Sequence, residues 1–565
     1  MTPDGVTRGY LRNVGRRWVL PAAGICLTLV VVACHATRDM APADRSPKAG
    51  GVFRYSLSYL PETLDPRELL FNQDRQVAAL IYEGLVGFGE DPDEIRPLLA
   101  ESWEVQADGC SWIFNLRPDV YFQDDPCFPD GQGRQVVAAD VEYSIGRLAA
   151  EETAWNLLAG KIVGFDEFER GAADRITGIT VLGERRLRFD LVRADATFLK
   201  ILATGAAYIL PSEAIRHYGA AFRQHPVGTG PFRMARWRPL QEILLVRNDH
   251  YWQRDTANCG LPYLEAIEIR QAANFSQIFS GFLKGENYLL EVNEKFFHTQ
   301  VLPVLEKEKY DTLICSCGLS CRFFGFAMDL DSPFSRYADV RRAVGLAFDR
   351  ARLADLLPGM YYHPPATLVP MLRPDDPAAG KTDYDPQLAG ELFRRHVREL
   401  SDYRTLRIAS NLEYPSLGVL RQSLAPLGIH LEFSIREVAY YDSLTRDRPD
   451  LLRVSFVPCL PDPTQYYLLF YSRSPAHINL TAYANPRFDL ILEESLIESD
   501  PARRRELFEQ LEEILRQDCP VIQISHANPR YLVMPSFVHG VKLYFVYPDF
   551  TEVWLEQEGG NHIQH

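Results

Sequence analysis

Two glycines and a threonine stand together in the stretch "HPVGTGPFRMARWRP", His225–Pro239, and residues of these types can form a loop that cradles a phosphate. A dinucleotide-binding loop needs Gly-x-Gly-x-x-Gly at the start of a helix, and a P-loop needs a lysine before Ser or Thr. In this chain Gly230 is followed by Pro231, and neither a third glycine nor a P-loop lysine follows. The stretch therefore favours a tight turn over a nucleotide site.

Other residues that can catalyse a reaction or hold a metal are scattered along the chain. The nucleophile motif Gly-x-Ser-x-Gly and the zinc motif His-Glu-x-x-His are absent, and the 13 histidines stand singly. Cys315 and Cys317, followed by Cys321, suggest a metal cluster, yet no Cys-x-x-Cys or paired histidine stands nearby. We therefore expect no cofactor, no metal centre and no enzyme activity, and look for a binding function.

The composition narrows the class of protein and its partners. The chain has 565 residues, of which 46% are hydrophobic, and this is enough for about two to four domains with large cores. Its formal net charge is −15, and an acidic chain lacks the basic face that a nucleic acid requires. We expect a monomer without a nucleic-acid partner.

The first 49 residues have the features of an export signal and a tether. A basic segment precedes the apolar run "WVLPAAGICLTLVVVA", which is too short and one-sided for a stable spanning helix. The run ends in "VVAC", which resembles the lipobox of bacterial lipoproteins, where the cysteine, here Cys34, becomes the lipidated N-terminus. We predict a signal peptide at 1–33 and a flexible tether at 34–49, so that a soluble periplasmic body is anchored by lipid to the cell membrane or the outer membrane. A plain signal peptide, an uncleaved anchor and twin-arginine export through "GRRWVL" are the alternatives.

Two periodicities alternate along the rest of the chain. Apolar residues at every second position predict strands, as in "CSWIFNLRPDVYF" and "RRLRFDLVRA". Helical spacing predicts one helix over 337–359 and another over 499–520, where Asp500 caps and Pro501 is the first helical residue. The pair Glu512-Glu513 on the second helix is expected on a solvated face. The irregular alternation indicates an α/β or α+β protein with mixed sheets.

Eight segments resemble the extracytoplasmic solute-binding proteins of ABC importers, family 5, a group that binds peptides, nickel and oligosaccharides. One such segment would be a weak signal, whereas eight in the same order are specific. They are "LDP" (64–66), "IYEGLVGF" (81–88), "IRPLLAESWEVQADGCSWIFNLRPDVYF" (95–122), "VVAADVEYSIGRL" (136–148), "VGTGPFRMARW" to "RNDHYW" (227–252), "DVRRAVGLAFDR" (339–350), "YDPQLAGELF" (384–393) and "PDPTQYYLLF" to "RQDCPVI" (461–522).

The resemblance implies a two-lobed periplasmic-binding-protein type II fold of the α/β class, with mixed sheets, a hinge and an enlarged first lobe. The first lobe would cover 50–290, with an extra subdomain at about 91–220, and would take back the C-terminal residues 525–565. The second lobe would cover 291–524. A solute between the lobes would favour the closed state by contacting both. The implied partners are a peptide or peptide-like solute and an ABC permease with its ATPase.

The resemblance also indicates ligand-binding residues in the second lobe. Peptide-binding members carry aromatic–x–x–Asp followed by x–x–Asp/Glu–Pro, and the first aspartate binds the α-ammonium of the peptide. In this chain Phe456 stands at the aromatic position, Cys459 replaces that aspartate, and Asp462 precedes the proline. Because a buried ammonium without a carboxylate costs several kcal/mol, either Asp462 takes over or the ligand lacks a free amine.

Two arginines just upstream, Arg446 and Arg453, resemble arginines that contact carboxylates in oligopeptide binders. A guanidinium fork matches a carboxylate with two parallel hydrogen bonds. Arg446 is equally compatible with a solvated surface, whereas Arg453 lies within an apolar strand. We therefore expect recognition of the acidic end of the ligand to be retained.

Some oligopeptide-binding relatives carry a disulfide between the regions that hold Cys321 and Cys459 here. Such a bridge would fix the loop and turn the site away from a free amine. Cys315 and Cys317 compete as partners, and Cys459 as a buried thiol is a further alternative.

Binding of peptides or peptide-like solutes is the function that the resemblance favours. The same fold also serves for oligosaccharides, nickel complexes and haem, although the histidines form no motif for a metal complex. A periplasmic sensory lipoprotein and a secreted enzyme are alternatives from other classes. A neighbouring permease and ATPase would support an importer, and a catalytic dyad in the cleft would support an enzyme.

The lipobox resemblance leads to a test of anchoring. The wild-type protein should incorporate labelled palmitate, and Cys34→Ala should release it from membranes because the lipidated residue is lost. Membrane fractionation of cells that express the two forms measures this. A Cys34→Ala protein that stays in the membrane fraction would contradict the lipoprotein interpretation.

Overall fold

The computed structural model describes the chain from Ser46 to Glu556 with gaps. The part of the chain that it describes from residue 47 onward belongs to one compact unit. The described residues are 46–69, 72–90, 94–149, 157–305, 309–315, 323–356, 367–369, 384–410, 413–435, 448–458, 460–476, 478–526, 530–544 and 547–556.

Two four-stranded sheets form the framework of the first lobe. One is mixed, with a parallel first pair and antiparallel neighbours, and has the order Val52–Leu57, Ala266–Gln271, Glu242–Arg247, Phe232–Arg238. The other is antiparallel, in the order Ala100–Val105, Ser111–Leu116, Arg186–Asp190, Ile179–Gly183. The predicted alternation is confirmed, since Phe114, Leu187 and Phe189 are fully buried.

Helices and short strand pairs complete the first lobe. The helices are Asn72–Ala78, Ala138–Ala149, Phe165–Glu169, Phe198–Leu202, Ser212–Tyr218 and Phe275–Leu283, and the short helix Glu294–Phe296 lies just beyond the predicted end of this lobe. The short pairs are Val86–Phe88 with Ile95–Pro97, Val538–His539 with Trp554–Leu555, and Lys542–Tyr544 with Tyr547–Asp549.

A mixed five-stranded sheet forms the centre of the second lobe. Its order is His430–Ile435, Thr405–Ser410, Leu451–Phe456, Phe323–Met328, Val521–His526. The first three strands run parallel and the last two pair antiparallel. The helices around it are Ala338–Ala347, Arg350–Leu356, Pro386–Arg394, Pro415–Leu424, Thr464–Tyr467, Pro486–Ile497 and Pro501–Asp518.

A three-stranded sheet lies where the chain passes between the lobes. Its order is Leu290–Asn293, Arg530–Pro535, Tyr310–Cys315. Leu532 and Met534 belong to the same hydrophobic core as the first-lobe strands, and the ring of Phe550 lies 4.9 Å from that of Phe53. The C-terminal residues therefore pack on the first lobe. The lobe boundaries at 290/291 and 524/525 stay predictions.

The helix predicted over 337–359 is in fact two helices among the described residues. It breaks at Phe348, whose ψ of 112° is extended. A second helix starts at Arg350, and the carboxylate of Asp349 accepts a hydrogen bond from the Arg352 N–H at 2.9 Å. An aspartate at this position competes with the continuing helix by capping the next one. Apolar periodicity alone does not reveal such a break.

The helix predicted over 499–520 is confirmed as Pro501–Asp518, with Asp500 accepting from the Arg503 N–H at 2.7 Å. The prediction for Glu512 is wrong, because this side chain is buried. Its carboxylate accepts hydrogen bonds from the backbone N–H groups of Leu368 and Val369 at 2.9 and 3.0 Å. A segment distant in sequence thus covers this turn of the helix, which helical periodicity does not predict.

The stretch "GTGPF" forms a tight turn with a structural role, as the sequence predicts. A side chain at Gly228 or Gly230 would collide with the backbone of Ile81, at 2.2 and 2.7 Å from a Cβ atom. The Gly230 N–H donates to the Ile81 carbonyl at 2.8 Å. The glycines therefore permit a close approach of two backbone segments, and Phe232 starts the next strand fully buried.

A buried carboxylate, that of Glu83, joins this turn to two other segments of the first lobe. Thr229 Oγ1, the Tyr251 hydroxyl and Trp252 Nε1 donate to it, at 2.8, 3.0 and 3.1 Å. Burial raises the pKa of Glu83 to about 7, against the lowering effect of these three donors. The segments "IYEG", "GTGPF" and "NDHYW" thus meet at one acid.

The raised pKa of Glu83 predicts a pH-dependent contribution to stability. The folded state holds the proton more tightly than the unfolded state, so this contribution is present below about pH 4.5 and is lost as pH rises through about 7. Glu83→Gln has no charge to bury, and its free energy of unfolding relative to wild type should rise by about 2.5 kcal/mol between pH 5 and pH 8. Urea unfolding at both pH values measures this difference.

The matched control is Glu101→Gln, which removes a carboxylate from an exposed position of the same lobe. Its difference from wild type should change little between the two pH values. Equal pH dependence in the two variants would show that burial of Glu83 is not the cause.

Candidate functional site

The strand Leu451–Phe456 places two of the predicted ligand residues near the middle of the second-lobe sheet. It pairs with Phe323–Met328 on one side, Arg453 opposite Phe326, and with Thr405–Ser410 on the other. Side chains three positions apart on an extended strand point to opposite faces. Arg453 and Phe456 therefore face opposite sides of this sheet.

Arg453 is 9% exposed and stacks on aromatic rings. Its guanidinium carbon lies 3.5 Å from the ring centre of Tyr414 and 5.6 Å from that of Phe324. Tyr414 directly precedes the helix Pro415–Leu424, which carries the ring to this face of the sheet. Stacking engages the flat face of a guanidinium, and its N–H groups point outward from the edge, where carboxylates bind.

Phe456 packs in the core on the opposite face. It is 8% exposed, and its ring meets that of Tyr466 edge-on at 5.6 Å. Both rings belong to the hydrophobic core that includes the helix Pro501–Asp518. The structure therefore gives Phe456 a packing environment, and its predicted ligand contact stays a prediction.

Asp462 is fully buried and lies between two cations. Arg504 donates to both carboxylate oxygens, at 2.7 and 2.9 Å, and Lys200 Nζ lies 3.4 Å from Oδ2. The N–H and hydroxyl of Thr464 also donate, at 3.1 and 2.6 Å. Burial alone would raise the pKa of Asp462, but the charges of Arg504 and Lys200 and these hydrogen bonds outweigh it and hold the pKa below its usual range.

The structure thus separates the predicted site residues into three environments. Arg453 contacts Tyr414, Phe456 contacts Tyr466, and Asp462 contacts Arg504 and Lys200. The other predicted residues, Arg446, Cys459, Cys321 and Cys34, lie outside the described residues. The ligand roles of the whole set, the lipid anchor and the disulfide stay predictions.

Sequence reasoning missed Lys200, Arg504 and Tyr414. Lys200 carried a signal, because a single lysine interrupts the apolar run "TFLKIL", and a charge inside such a run needs a partner. Arg504 had no distinguishing signal among three consecutive arginines. Only the fold shows which of the three turns toward Asp462.

Two further features of the described residues bear on the sequence predictions. Cys110, Cys127 and Cys259 are free thiols. Across the described stretches, His, Cys, Asp and Glu side chains form no group of three that is arranged to hold a metal ion, and each helix is too short or too polar to cross a membrane. Of the suggested metal cluster, Cys317 and Cys321 lie outside these stretches.

Comparison with known proteins identifies the family of this chain. The sequence profile of the bacterial extracellular solute-binding proteins, family 5 (middle region), matches residues 94–477, more than half of the chain. The chain belongs to this family. The resemblance expected from the eight segments is thereby confirmed.

Curated relatives agree with this assignment, and a solved structure shares the fold. The chain is 26% identical over 467 residues to the peptide transport periplasmic protein SapA of Salmonella typhimurium, with 80% of this chain and 82% of that protein covered. It is 24% identical over 531 residues to the glutathione-binding protein GsiB of Pectobacterium atrosepticum, covering 91% and 93%. The periplasmic binding protein DppA of Helicobacter pylori, solved with the peptide STSA, superposes with a TM-score of 0.71 at 21% identity, covering 90% and 99%. The predicted two-lobed α/β fold with mixed sheets is confirmed.

Proposed function

We propose that this family-5 protein is the extracytoplasmic substrate-binding component of an ABC importer. It captures peptides or peptide-like solutes between its lobes and delivers them to a membrane permease that works with an ATPase. The relatives support this proposal, since SapA is named for peptide transport, GsiB for glutathione, and the DppA structure contains a peptide. We propose export, anchoring through Cys34 and a binding role without catalysis.

The proposal is based mainly on the burial and stacking of the Arg453 guanidinium. This guanidinium is buried, oriented by Tyr414 and set near the middle of the second-lobe sheet. A stacked, desolvated guanidinium recognises a carboxylate with two parallel hydrogen bonds and loses little conformational freedom in doing so. We propose that it binds an acidic end of the solute.

The surroundings of Asp462 bear on the other end of the solute. Turning this carboxylate toward a ligand amine would leave Arg504 and Lys200 as two buried cations without their counter-charge, at a cost of about 3–5 kcal/mol. Of the two alternatives drawn from the sequence, we therefore propose the second. The solute has no free α-amine bound at this segment, and Asp462 shapes the segment instead.

The first test identifies the solute. Native mass spectrometry of the purified full chain should show a bound species in the mass range of short peptides or peptide conjugates, released on unfolding. Fragmentation of the released species would establish whether it has amide bonds and a free amine. Release of an oligosaccharide, a nickel complex or a haem would support the alternative that the same fold serves a non-peptide solute.

The second test concerns Arg453. Arg453→Ala should weaken binding of the identified peptide by about 2–5 kcal/mol, because a desolvated carboxylate loses its partner. Isothermal titration calorimetry measures the affinity, and circular dichroism checks that the variant is folded. If Ala disturbs the fold, Arg453→Met keeps the packing volume and gives the same test.

The matched control is Arg421→Ala. Arg421 is also an arginine of the second lobe stacked on an aromatic ring, 4.1 Å from the centre of Phe433, but its side chain is exposed. This variant should bind with wild-type affinity. Unchanged affinity in folded Arg453→Ala would remove Arg453 from the site.

A further inference from the structure

The charges around Asp462 come from both lobes. Lys200 lies in the first-lobe helix Phe198–Leu202, whereas Asp462 and Arg504 belong to the second lobe. Asp462 is 0% exposed, and the side chains of Lys200 and Arg504 are 11% and 12% exposed. One carboxylate thus lies between a cation of its own lobe and a cation of the other, away from water.

Two hydrogen bonds and one apolar side chain also connect the lobes at this point. Lys200 Nζ donates to the carbonyl of Pro461 at 3.1 Å, and the backbone N–H of Ala196 donates to the carbonyl of Leu496 at 2.9 Å. Leu460 is 1% exposed and belongs to the hydrophobic core of the first lobe. The interface therefore combines a buried charge, a backbone hydrogen bond and an apolar side chain inserted into the opposite core.

Arg504 ties the two second-lobe parts of this interface together. Its Nη atoms bind Asp462, and its Nε donates to the carbonyl of Ser495 at 2.9 Å, next to Leu496. On the first-lobe side, the carboxylate of Asp195 accepts from the Thr197 N–H at 2.7 Å and from Lys161. Both sides of the interface are thus held rigidly within their own lobes.

Separating the two lobes at this interface would cost free energy at each of these contacts. Leu460 would leave an apolar core for water, and the Ala196 N–H and the Pro461 carbonyl would lose their partners. Asp462 would keep Arg504 and Thr464, so the second-lobe part survives without Lys200. Lys200 is therefore the residue whose charge acts between the lobes.

We infer that the segment Leu460–Asp462 is a non-covalent pivot, held on the first lobe by Lys200, about which the lobes move. The chain crosses between the three-stranded sheet and the second-lobe sheet twice, after Cys315 and after His526. The pivot adds a third fixed point, so that Leu460 and Asp462 move little relative to the first lobe when the second lobe rotates about them. Lys200 is thus a positioning residue. The inference rests on the two-lobed fold and not on the identity of the solute.

Hydrogen exchange of the Ala196 amide tests the pivot, because this N–H is protected by the opposite lobe. The full chain is stripped of co-purified solute, and exchange is followed by mass spectrometry with single-residue fragmentation. The wild-type amide should be protected without solute. Lys200→Met should make it exchange about tenfold faster or more, since a charge-assisted contact that closes the interface is lost.

Two further variants separate positioning from general destabilisation. Lys200→Arg restores the positive charge and should return exchange to the wild-type rate, and Lys284→Met, which removes an exposed first-lobe lysine, should leave it unchanged. Wild-type exchange in Lys200→Met would overturn the pivot. So would a wild-type amide that is protected only after solute is added, because the contact would then form on closure. A protein that fails to bind peptides but shows the expected exchange pattern would contradict the proposed function and leave the pivot intact.

Discussion

The carboxylate of Asp462 has no access to water, and much of the molecule is arranged to satisfy it. A buried charge without partners would cost several kcal/mol, so each oxygen must receive donors of opposite charge or strong polarity. Arg504, from the helix Pro501–Asp518, donates to both oxygens. Thr464 donates to Oδ1 from the local turn, and Lys200 approaches Oδ2 from the other lobe. The helices Pro501–Asp518 of the second lobe and Phe198–Leu202 of the first lobe therefore both contact the carboxylate of Asp462.

The need for hydrogen-bond donors applies equally to two other buried acids, Glu83 and Glu512, and each obtains its donors in a different way. Three neutral donors bind Glu83, and burial raises its pKa to about 7. Glu512 instead accepts from two backbone N–H groups of a distant segment and from the Tyr467 hydroxyl. Each acid joins parts of the chain that are far apart in sequence, because an interior carboxylate must collect donors from wherever the fold brings them.

Arg453 and Asp462 are opposite charges within one short stretch, and the structure gives them different surroundings. The guanidinium of Arg453 stacks on Tyr414, and the carboxylate of Asp462 binds Arg504 and Lys200. Cys459 stands where the resemblance to peptide-binding members predicts an aspartate that binds an ammonium group. The proposed solute is therefore one that is bound through an acidic group and has no free amine bound at this segment.

The family and the local elements could be predicted from the sequence, because they depend on near neighbours. Alternating apolar residues placed the strand Ser111–Leu116, and Asp500 with Pro501 placed the start of the helix Pro501–Asp518. Gly228 and Gly230 indicated a tight turn, and the structure places that turn against the backbone of Ile81. Periodicity did not reveal the break at Phe348, where a local cap competes with helical spacing.

What the sequence could not decide was which charged side chains meet in the interior. Glu512 looked like a solvated helix residue, and Lys200 and Arg504 were not singled out, although 304 positions separate these two. The partners of a buried charge are chosen by the packing of whole lobes, and no local pattern encodes that choice. Tertiary structure therefore decided that Asp462 is matched within the protein, because only the folded lobes exclude the water that would otherwise satisfy it.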